Sequence, residues 1–251
     1  MSSGYYAACA GLQAQTQALD LIANNLANVN TSGYRAQQSS FQSLLAGASL
    51  AGPSGGWMTM NPLNRAINDF NVIGGTRTDL SAGNLQHTGN PLDLAIEGNG
   101  FFAVQTAAGT LYTRNGNFRV STKGQLTTSE GDLVLGVAGP IAIPGGELAV
   151  SPDGTISANG GVAGKLRIVE FAPGSSPAAQ GNAFYSVPDA QVQPSPDSSV
   201  RQGTLESSNV NVVQAVVSLL VVQRQAEMME RAMSLFQSDI DHIAANDLPK
   251  V

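Results

Sequence analysis

The chain has 251 residues, a formal net charge of −6 and only 12% charged residues. This length allows one or two domains with a buried core. The 12 Lys and Arg are scattered and form no basic patch, so the sequence predicts neither a nucleic-acid partner nor binding to an anionic membrane surface. With a single cysteine, Cys9, an intrachain disulfide is excluded.

No targeting or membrane-spanning segment is predicted. Residues 1–10 lack a basic segment and a long apolar run, so we expect no cleaved signal peptide. The most apolar stretch, residues 210–222, contains polar side chains and is shorter than the roughly 20 residues that a transmembrane helix needs. We therefore expect no direct insertion into a membrane, and any export must use a route without a cleaved signal.

An N-terminal helix is predicted for residues 4–29, which contain no proline. Apolar side chains recur there at helical spacing, with Gly11 and Gln15 as interruptions. Asparagines and other turn-forming residues up to Gly33 then end the helix. Residues 1–35 are therefore expected to form an N-terminal assembly helix and turn, whose seam residues are Tyr5, Ala8, Leu12, Leu19, Ile22 and Leu26.

The middle of the chain is predicted to be β-rich. Residues 36–80 include a stretch rich in Gly, Ala, Ser and Pro and are expected to form an extended or loop connection. Residues 81–205 carry turn signals between short alternating apolar segments, which is typical of an all-β sandwich or barrel-like domain. Two of these signals are a turn at Ala108-Gly109 and a two-residue hairpin at Asn115-Gly116.

The C-terminal segment, residues 206–251, has the strongest pattern in the sequence. No Gly or Pro occurs between residues 211 and 246, and Asn211 with Gln214 resembles a capping box at the helix start. Apolar side chains occupy every a and d position of five heptads, which indicates a coiled-coil seam. These assembly-interface positions are Val212, Ala215, Leu219, Val222, Ala226, Met229, Met233, Phe236, Ile240 and Ile243.

Two narrow apolar stripes at opposite ends of one chain favour pairing of the two helices with each other, and then with the same ends of other copies. The predicted fold class is α+β, with long N- and C-terminal helices pairing as a coiled coil and an all-β middle domain. The ordinary alternative is that each stripe packs on its own globular core. Leaving both stripes in water would lose about 1.5–3 kcal/mol for each Leu or Ile that could be buried.

No catalytic, cofactor-binding or metal site is predicted. His87 and His242 lie far apart, with no Cys or carboxylate at ligand spacing. Residues 98–103 match a loose dinucleotide fingerprint, but a hairpin is predicted to follow instead of the required helix. Acids such as Asp93 and Glu130 lie in predicted turns, where they usually stabilise the turn, although a carboxylate pair for glycoside hydrolysis stays open.

The residues also resemble a known family, the bacterial flagellar rod and hook axial proteins. Residues 6–11 are similar to the family's Y-x-A-x-x-G opening, and residues 23–35 to its A-N-N-L-A-N-x-N-T-x-G-[FY]-[KR] signature. Residues 88–102 and 112–118 are similar to its middle domain, and residues 202–211 to the lead into its C-terminal helix. The motif residues are Asn24, Asn25, Leu26, Asn28, Thr31, Gly33, Tyr34, Gly98, Gly100 and Phe101.

The resemblance implies a structural subunit of the flagellar basal-body rod, without enzymatic activity or a cofactor. The expected partners are other rod subunits, copies of the chain itself and the flagellar type III export apparatus. The expected location is the rod that crosses the periplasm, where the chain would assemble through its terminal helices and transmit torque. From the residues alone, one alternative stays open: a secreted β-fold enzyme or glycan-binding module with a coiled-coil oligomerisation helix.

Overall fold

The computed structural model describes residues 2–39, 76–146 and 148–247. Two long helices flank a middle that is largely β-strand, which confirms the predicted α+β class. The chain divides into two compact units. One comprises residues 1–26, 38–76 and 212–251 and includes both helices, and the other comprises residues 27–37 and 77–211 and includes almost all of the strands.

Both helices lie close to their predicted positions. Helix α1 spans Ser2–Ala27 and helix α2 spans Val212–Asp247. After α1, the amide and hydroxyl of Thr31 donate to the carbonyl and the side-chain oxygen of Asn28, at 3.2 and 3.1 Å. Hydrogen bonds of this kind replace those of a continuing helix and account for the turn. Helix α2 begins directly after Asn211, the predicted N-cap.

Short strands make up the middle of the chain. The described residues contain β1 (Gln37–Ser39), β2 (Thr76–Thr78), β3 (Leu85–His87), β4 (Leu94–Glu97), β5 (Phe101–Thr106), β6 (Gly109–Thr113), β7 (Phe118–Val120), β8 (Leu126–Thr128), β9 (Leu133–Gly136), β10 (Gly139–Pro140), β11 (Leu148–Val150), β12 (Thr155–Ala158), β13 (Gly161–Lys165), β14 (Ile168–Phe171), β15 (Ala178–Ala179), β16 (Phe184–Ser186), β17 (Val192–Pro194), β18 (Ser199–Gln202) and β19 (Thr204–Glu206).

The strands form one large sheet and several small ones. The large sheet runs in the order β15-β16-β6-β5-β9-β8-β7, with β10 beside β9, β14 beside β5 and β17 beside β14. A three-stranded sheet has the order β11-β12-β13, and three two-stranded sheets pair β1 with β2, β3 with β19 and β4 with β18. The last two pairings join strands from opposite ends of the domain, so β18 and β19 return the chain to where the domain begins.

Two clusters of buried apolar side chains fill the β domain. Neighbouring side chains of a strand point to opposite faces, so Phe101 and Phe102 of β5 enter different clusters. Phe102 meets Phe118 edge-on in the first cluster, with ring centroids 5.1 Å apart. Phe101 stacks on Phe171 at 4.3 Å in the second, where Tyr185 meets Phe101 edge-on at 5.8 Å.

One predicted hairpin is present and another is wrong. Strands β5 and β6 form a hairpin in which Thr106 pairs with Gly109, beside the predicted turn. No hairpin forms at Asn115-Gly116, because β6 pairs with β5 and β16 while β7 pairs with β8. Instead the chain crosses Leu94 closely: a Cβ on Gly116 would lie 1.6 Å from the Leu94 carbonyl oxygen. The glycine permits this crossing of two backbones.

Candidate functional site

Three charged side chains from distant parts of the chain meet inside the β domain. Glu206, at the end of β19, places Oε1 2.6 Å from Nη1 of Arg35 and Oε2 3.1 Å from Nη1 of Arg114. The side chains of Arg35, Arg114 and Glu206 are 0%, 2% and 1% exposed. We call these three residues the charge cluster. Because charges so deeply buried are costly unless paired, the carboxylate is required to offset both cations.

Arg114 is held by several partners besides Glu206. Its Nη1 and Nη2 donate to the carbonyls of Ile96 and Gly98 at 3.1 and 2.5 Å, and its guanidinium carbon lies 4.8 Å from the centre of the Phe101 ring. Burial lowers the pKa of Arg114 to about 10, an effect that Glu206 opposes. The side chain therefore keeps its charge at neutral pH and links β4, β5 and β19.

Arg35 is paired by charge more than by hydrogen bonds. Its contact with Glu206 is short, but the angle is not that of a hydrogen bond, and its Nε and Nη2 find no acceptor among the described residues. Its backbone amide donates to the Tyr185 hydroxyl oxygen at 2.9 Å. Burial raises the pKa of Tyr185 to about 12, so the hydroxyl stays neutral and accepts this bond. Arg35 therefore depends on the negative charge of Glu206 to offset its burial.

Asn209 joins, through hydrogen bonds, the two chain segments that lie beside the charge cluster. Its Oδ1 accepts from the Ala36 amide at 2.7 Å, and its Nδ2 donates to the carbonyls of Asp79 and Ser81 at 3.1 and 3.0 Å. Its own amide donates to the Tyr34 carbonyl at 3.3 Å. Residues 33–36, which follow α1, therefore lie against residues 206–209, which precede α2.

Two glycines allow the backbones to come this close. Gly33 has φ +69°, and a Cβ there would lie 2.3 Å from the Arg114 carbonyl carbon, while its amide donates to the Glu206 carbonyl at 2.8 Å. A Cβ on Gly83 would lie 1.9 Å from the Ser207 carbonyl oxygen, and the Gly83 amide donates to Oε1 of Glu206 at 2.7 Å. Neither position has room for a larger residue.

The predicted motif residues divide into those at the cluster and those away from it. Gly33 and Tyr34 are buried beside Arg35, the Gly98 carbonyl binds Arg114, and Phe101 lies under its guanidinium. The Gly100 amide donates to the Ser198 hydroxyl oxygen at 3.0 Å. The remaining motif residues lie in α1 or in the turn that follows it: Asn24, Asn25, Leu26, Asn28 and Thr31.

The predicted assembly positions lie on the two helices. Val212 is exposed, and the side chains of Tyr5, Ala8, Phe236, Ile240 and Ile243 lie outside the described residues. The other predicted positions are half-buried: Leu12, Leu19, Ile22, Leu26, Ala215, Leu219, Val222, Ala226, Met229 and Met233.

The charge cluster itself was not predicted, nor were Asn209 and Tyr185. Its three members lie inside stretches that resemble the family, residues 23–35, 112–118 and 202–211. The sequence did contain a hint of the cluster: only 12% of the residues are charged, yet each of these three stretches carries a charged residue. Their partnership could not be deduced, since no local spacing relates residues 35, 114 and 206.

The other candidate residues stabilise turns or face solvent. The Asp93 carboxylate is buried and accepts from the Thr88 hydroxyl and the Asn90 side-chain amide at 2.7 and 3.0 Å, which confirms its prediction as a turn acid. His87 is exposed on β3, and the His242 side chain lies outside the described residues. The predicted fingerprint glycines are followed by β5, so no helix is available there to bind a pyrophosphate.

The described residues offer neither a metal site nor a helix that could cross a membrane. Within residues 2–39, 76–146 and 148–247, no three His, Cys, Asp or Glu side chains are grouped so that they could hold a metal ion. Neither of the helices in this part of the chain has the length and apolar character needed to cross a membrane.

Comparison with known proteins gives a consistent result along the chain. Residues 6–35 match the family described as Flagella basal body rod protein, residues 95–158 the Flagellar hook protein FlgE/F/G D1 domain, and residues 201–240 the Flagellar basal body rod FlgEFG protein C-terminal. The chain is 33% identical to the flagellar basal-body rod protein FlgF of Mesorhizobium japonicum over 233 residues, 90% of each chain. The chain belongs to the flagellar basal-body rod protein family.

A second relative in the rod family is FlgG of Agrobacterium fabrum, 33% identical over 248 residues, which covers 90% of this chain and 92% of the relative. Rod-family members are structural proteins, so the family assignment confirms that this chain is a structural rod subunit and not an enzyme. It assembles in the flagellar basal body with other rod subunits.

The charge cluster joins the three rod-family matches. Arg35 is the last residue of the first match, Arg114 lies within the second and Glu206 within the third. Motifs that are separate in sequence therefore meet at one buried site, and that site lies in the segments that lead to both helices.

Proposed function

We propose that α1 and α2 pair as a coiled coil, that this coiled coil drives assembly with neighbouring rod subunits, and that the β domain makes lateral contacts. The observation that carries the proposal is the approach of Gly11 in α1 to Met229 in α2. A Cβ on Gly11 would lie 3.4 Å from Cε of Met229, which is ordinary contact distance. Met229 is a d position of the predicted seam, and a glycine opposite it lets the helix backbones come close.

The burial pattern of α2 supports the same proposal. Between residues 213 and 233, the predicted a and d positions are half-buried, whereas most side chains between them are exposed. A 3-4 repeat of burial is typical of a helix with one narrow contact seam. Tyr5 and Ala8 of α1, and Phe236, Ile240 and Ile243 of α2, extend the proposed seam beyond the described side chains.

In this proposal the chain transmits torque as part of the rod, and the charge cluster, with Asn209, holds the two chain segments that continue into the helices. Arg35, in the segment that follows α1, contacts Glu206 at the end of β19. Asn209, in the segment that precedes α2, donates to the carbonyls of Asp79 and Ser81 between β2 and β3. A load on either helix is therefore shared between two chain segments, with buried contacts on both.

The proposal also covers the division of the chain into segments, its route of export and the type of rod protein to which it belongs. We assign residues 1–35 and 206–251 to assembly, 36–80 to a connection and 81–205 to the β domain. Export would use the flagellar type III apparatus and leave the N-terminus uncleaved, which N-terminal mass spectrometry of rods can test. We favour the FlgF type over the FlgG type because residues 222–228 are similar to FlgF, and a separate FlgG gene nearby would support that choice.

The assembly proposal is tested by placing charge in the seam. We expect Leu219→Asp with Met233→Asp to abolish incorporation into basal bodies and motility, because two carboxylates would be buried without partners. The middle domain should stay folded, since neither residue belongs to it. The measurement is the amount of the chain in purified basal bodies, with secreted protein quantified separately so that export and assembly are distinguished.

The matched control is Gln223→Asp with Gln225→Asp, which adds the same charge to exposed positions of the same helix. This variant should assemble normally. Normal rods and motility in the Leu219/Met233 variant would contradict the proposal.

A further inference from the structure

The charge cluster carries one more positive charge than negative charge. Arg35 and Arg114 are both cationic, and Glu206 is the one carboxylate that forms an ion pair with either of them among the described residues. Glu170 attracts Arg114 electrostatically but forms no ion pair with it in the described part of the chain. All three members are at most 2% exposed, so bulk water does not screen the excess. An excess buried charge is costly unless another charge offsets it.

The excess charge lies on Arg35. Arg114 donates to Glu206 and to two backbone carbonyls. By contrast, Nε, Nη1 and Nη2 of Arg35 make no hydrogen bond within the described residues, although the side chain is 0% exposed. A guanidinium group has five N–H donors, and buried donors in folded proteins almost always have an acceptor. The Arg35 guanidinium therefore requires an acceptor that the described side chains do not supply.

Both oxygens of Glu206 are already used by other donors. Its Oε1 accepts from the Gly83 amide at 2.7 Å, and its Oε2 accepts from Nη1 of Arg114 at 3.1 Å. Oε1 also lies 2.6 Å from Nη1 of Arg35, but at an angle that does not make a hydrogen bond. The carboxylate thus offsets one of the two positive charges and leaves the Arg35 donors unsatisfied.

Tyr185 adds a further donor close to Arg35. Its hydroxyl oxygen accepts from the Arg35 amide at 2.9 Å, and the residue is 1% exposed. Burial raises the pKa of Tyr185 to about 12, so the hydroxyl keeps its proton at neutral pH. A hydroxyl that accepts one hydrogen bond can donate another. A buried guanidinium and a neutral buried hydroxyl are donors of the kind that bind an anion.

We propose that the charge cluster is a binding site for a small monovalent anion of the halide type, chloride in physiological solution, which lies against the Arg35 guanidinium and accepts from the Tyr185 hydroxyl. One negative charge makes the cluster neutral, because two cations are then balanced by one carboxylate and one anion. A water molecule would accept hydrogen bonds but would leave the positive charge in place. A divalent oxyanion would reverse the charge and needs more space, in a site that is closed to solvent.

An anion at this site stabilises the folded chain, because the unfolded chain has no such site. At a chloride concentration ten times the dissociation constant, the thermal midpoint of unfolding should be about 3–6 °C higher than without chloride. The measurement is thermal unfolding of the full chain, with chloride replaced by gluconate at constant ionic strength, since gluconate is too large for the site. A midpoint of the wild type that does not rise with chloride would overturn the proposal.

A pair of variants separates binding at this site from general salt effects. Arg35→Met leaves Arg114 and Glu206 as a neutral pair, so we expect it to fold and to lose the dependence on chloride. The matched control is Arg201→Met, which also removes a cation from an ion pair, but one whose arginine is 59% exposed. This control should keep the full chloride shift. Equal chloride shifts in the two variants would overturn the proposal.

A second measurement uses the wild type and so does not depend on the folding of a variant. Crystals of the full chain are grown in sodium bromide, and the anomalous scattering of bromine is recorded. We expect a peak within hydrogen-bond distance of the Arg35 guanidinium. A water molecule or a carboxylate of the chain at that place, without an anomalous peak, would overturn the proposal. Both measurements use the isolated chain, so their outcome is independent of the proposed helix pairing and assembly.

Discussion

Replacing Glu206 by Gln tests whether the charge cluster depends on its single carboxylate. The change keeps the shape of the side chain and an oxygen that can accept from the Gly83 amide, now at 2.7 Å. What it removes is the negative charge between Arg35 and Arg114, whose side chains are 0% and 2% exposed. Two buried guanidinium groups would then face each other without a counter-ion.

The expected loss is large on the scale of a folded domain. Removing one partner of a buried ion pair costs about 3–5 kcal/mol, against a total free energy of unfolding of about 5–15 kcal/mol. With a urea slope of about 2 kcal/mol per molar, the unfolding midpoint should fall by about 2 M. Near-UV circular dichroism is a suitable measurement, because Tyr112 and Tyr185 are packed in the second apolar cluster.

Two controls show whether the lost charge is the cause. Asp153→Asn breaks the pair with Lys165, whose members are 56% and 52% exposed, and should lower the midpoint by no more than about 0.5 M. Combining Glu206→Leu with Arg35→Met and Arg114→Met removes every charge and should recover much of the loss. A midpoint for Glu206→Gln no lower than that of Asp153→Asn would refute the reasoning.

Two further predictions concern residues around the cluster. Gly33→Ala should lower the free energy of unfolding, measured in urea, by at least about 3 kcal/mol, because the added Cβ would lie 2.3 Å from backbone atoms. The control is Gly89→Ala, which has a similar φ of +75° but open space around it and should cost only about 1–2 kcal/mol. Equal losses for the two variants would contradict this explanation. The raised pKa of Tyr185 stabilises the fold below pH 10, the tyrosine value in the unfolded chain, and that stability is lost as pH rises towards about 12. The stability difference between wild type and Tyr185→Phe should therefore shrink by about 1 kcal/mol from pH 9 to pH 11, and a constant difference would contradict the assigned cause.

The helices could be predicted from the sequence because their signals are local and repeated. Ten apolar heptad positions in a stretch without Gly or Pro leave few alternatives to a long helix, and α2 begins directly after the predicted cap, Asn211. The turn after α1 was also predictable, since Asn28 and Thr31 interact at short range.

Where local and long-range contacts compete, the sequence was less informative. Asn115-Gly116 is a strong two-residue hairpin signal, yet the close crossing of Leu94 determines the conformation there. The pairings of β18 with β4 and of β19 with β3 join residues more than 100 positions apart, and no periodicity reports such partners. The cluster escaped prediction for the same reason, although each of its members stands in a recognised motif.

These long-range pairings also bear on the helix pairing that we propose. In an open chain, joining residue 36 to residue 209 would require closing a loop of about 170 residues, at an entropic cost on the order of 5 kcal/mol. Folding of the β domain closes this loop, since Asn209 then accepts a hydrogen bond from the Ala36 amide at 2.7 Å. The segment after α1 and the segment before α2 are thereby held together, so the helix pairing that we propose would be a local event at high effective concentration. A narrow seam that would be marginal between free helices can then suffice. In the assembly that we propose, the Asn209 contact contributes without belonging to either helix, because it holds together the two segments that continue into the helices.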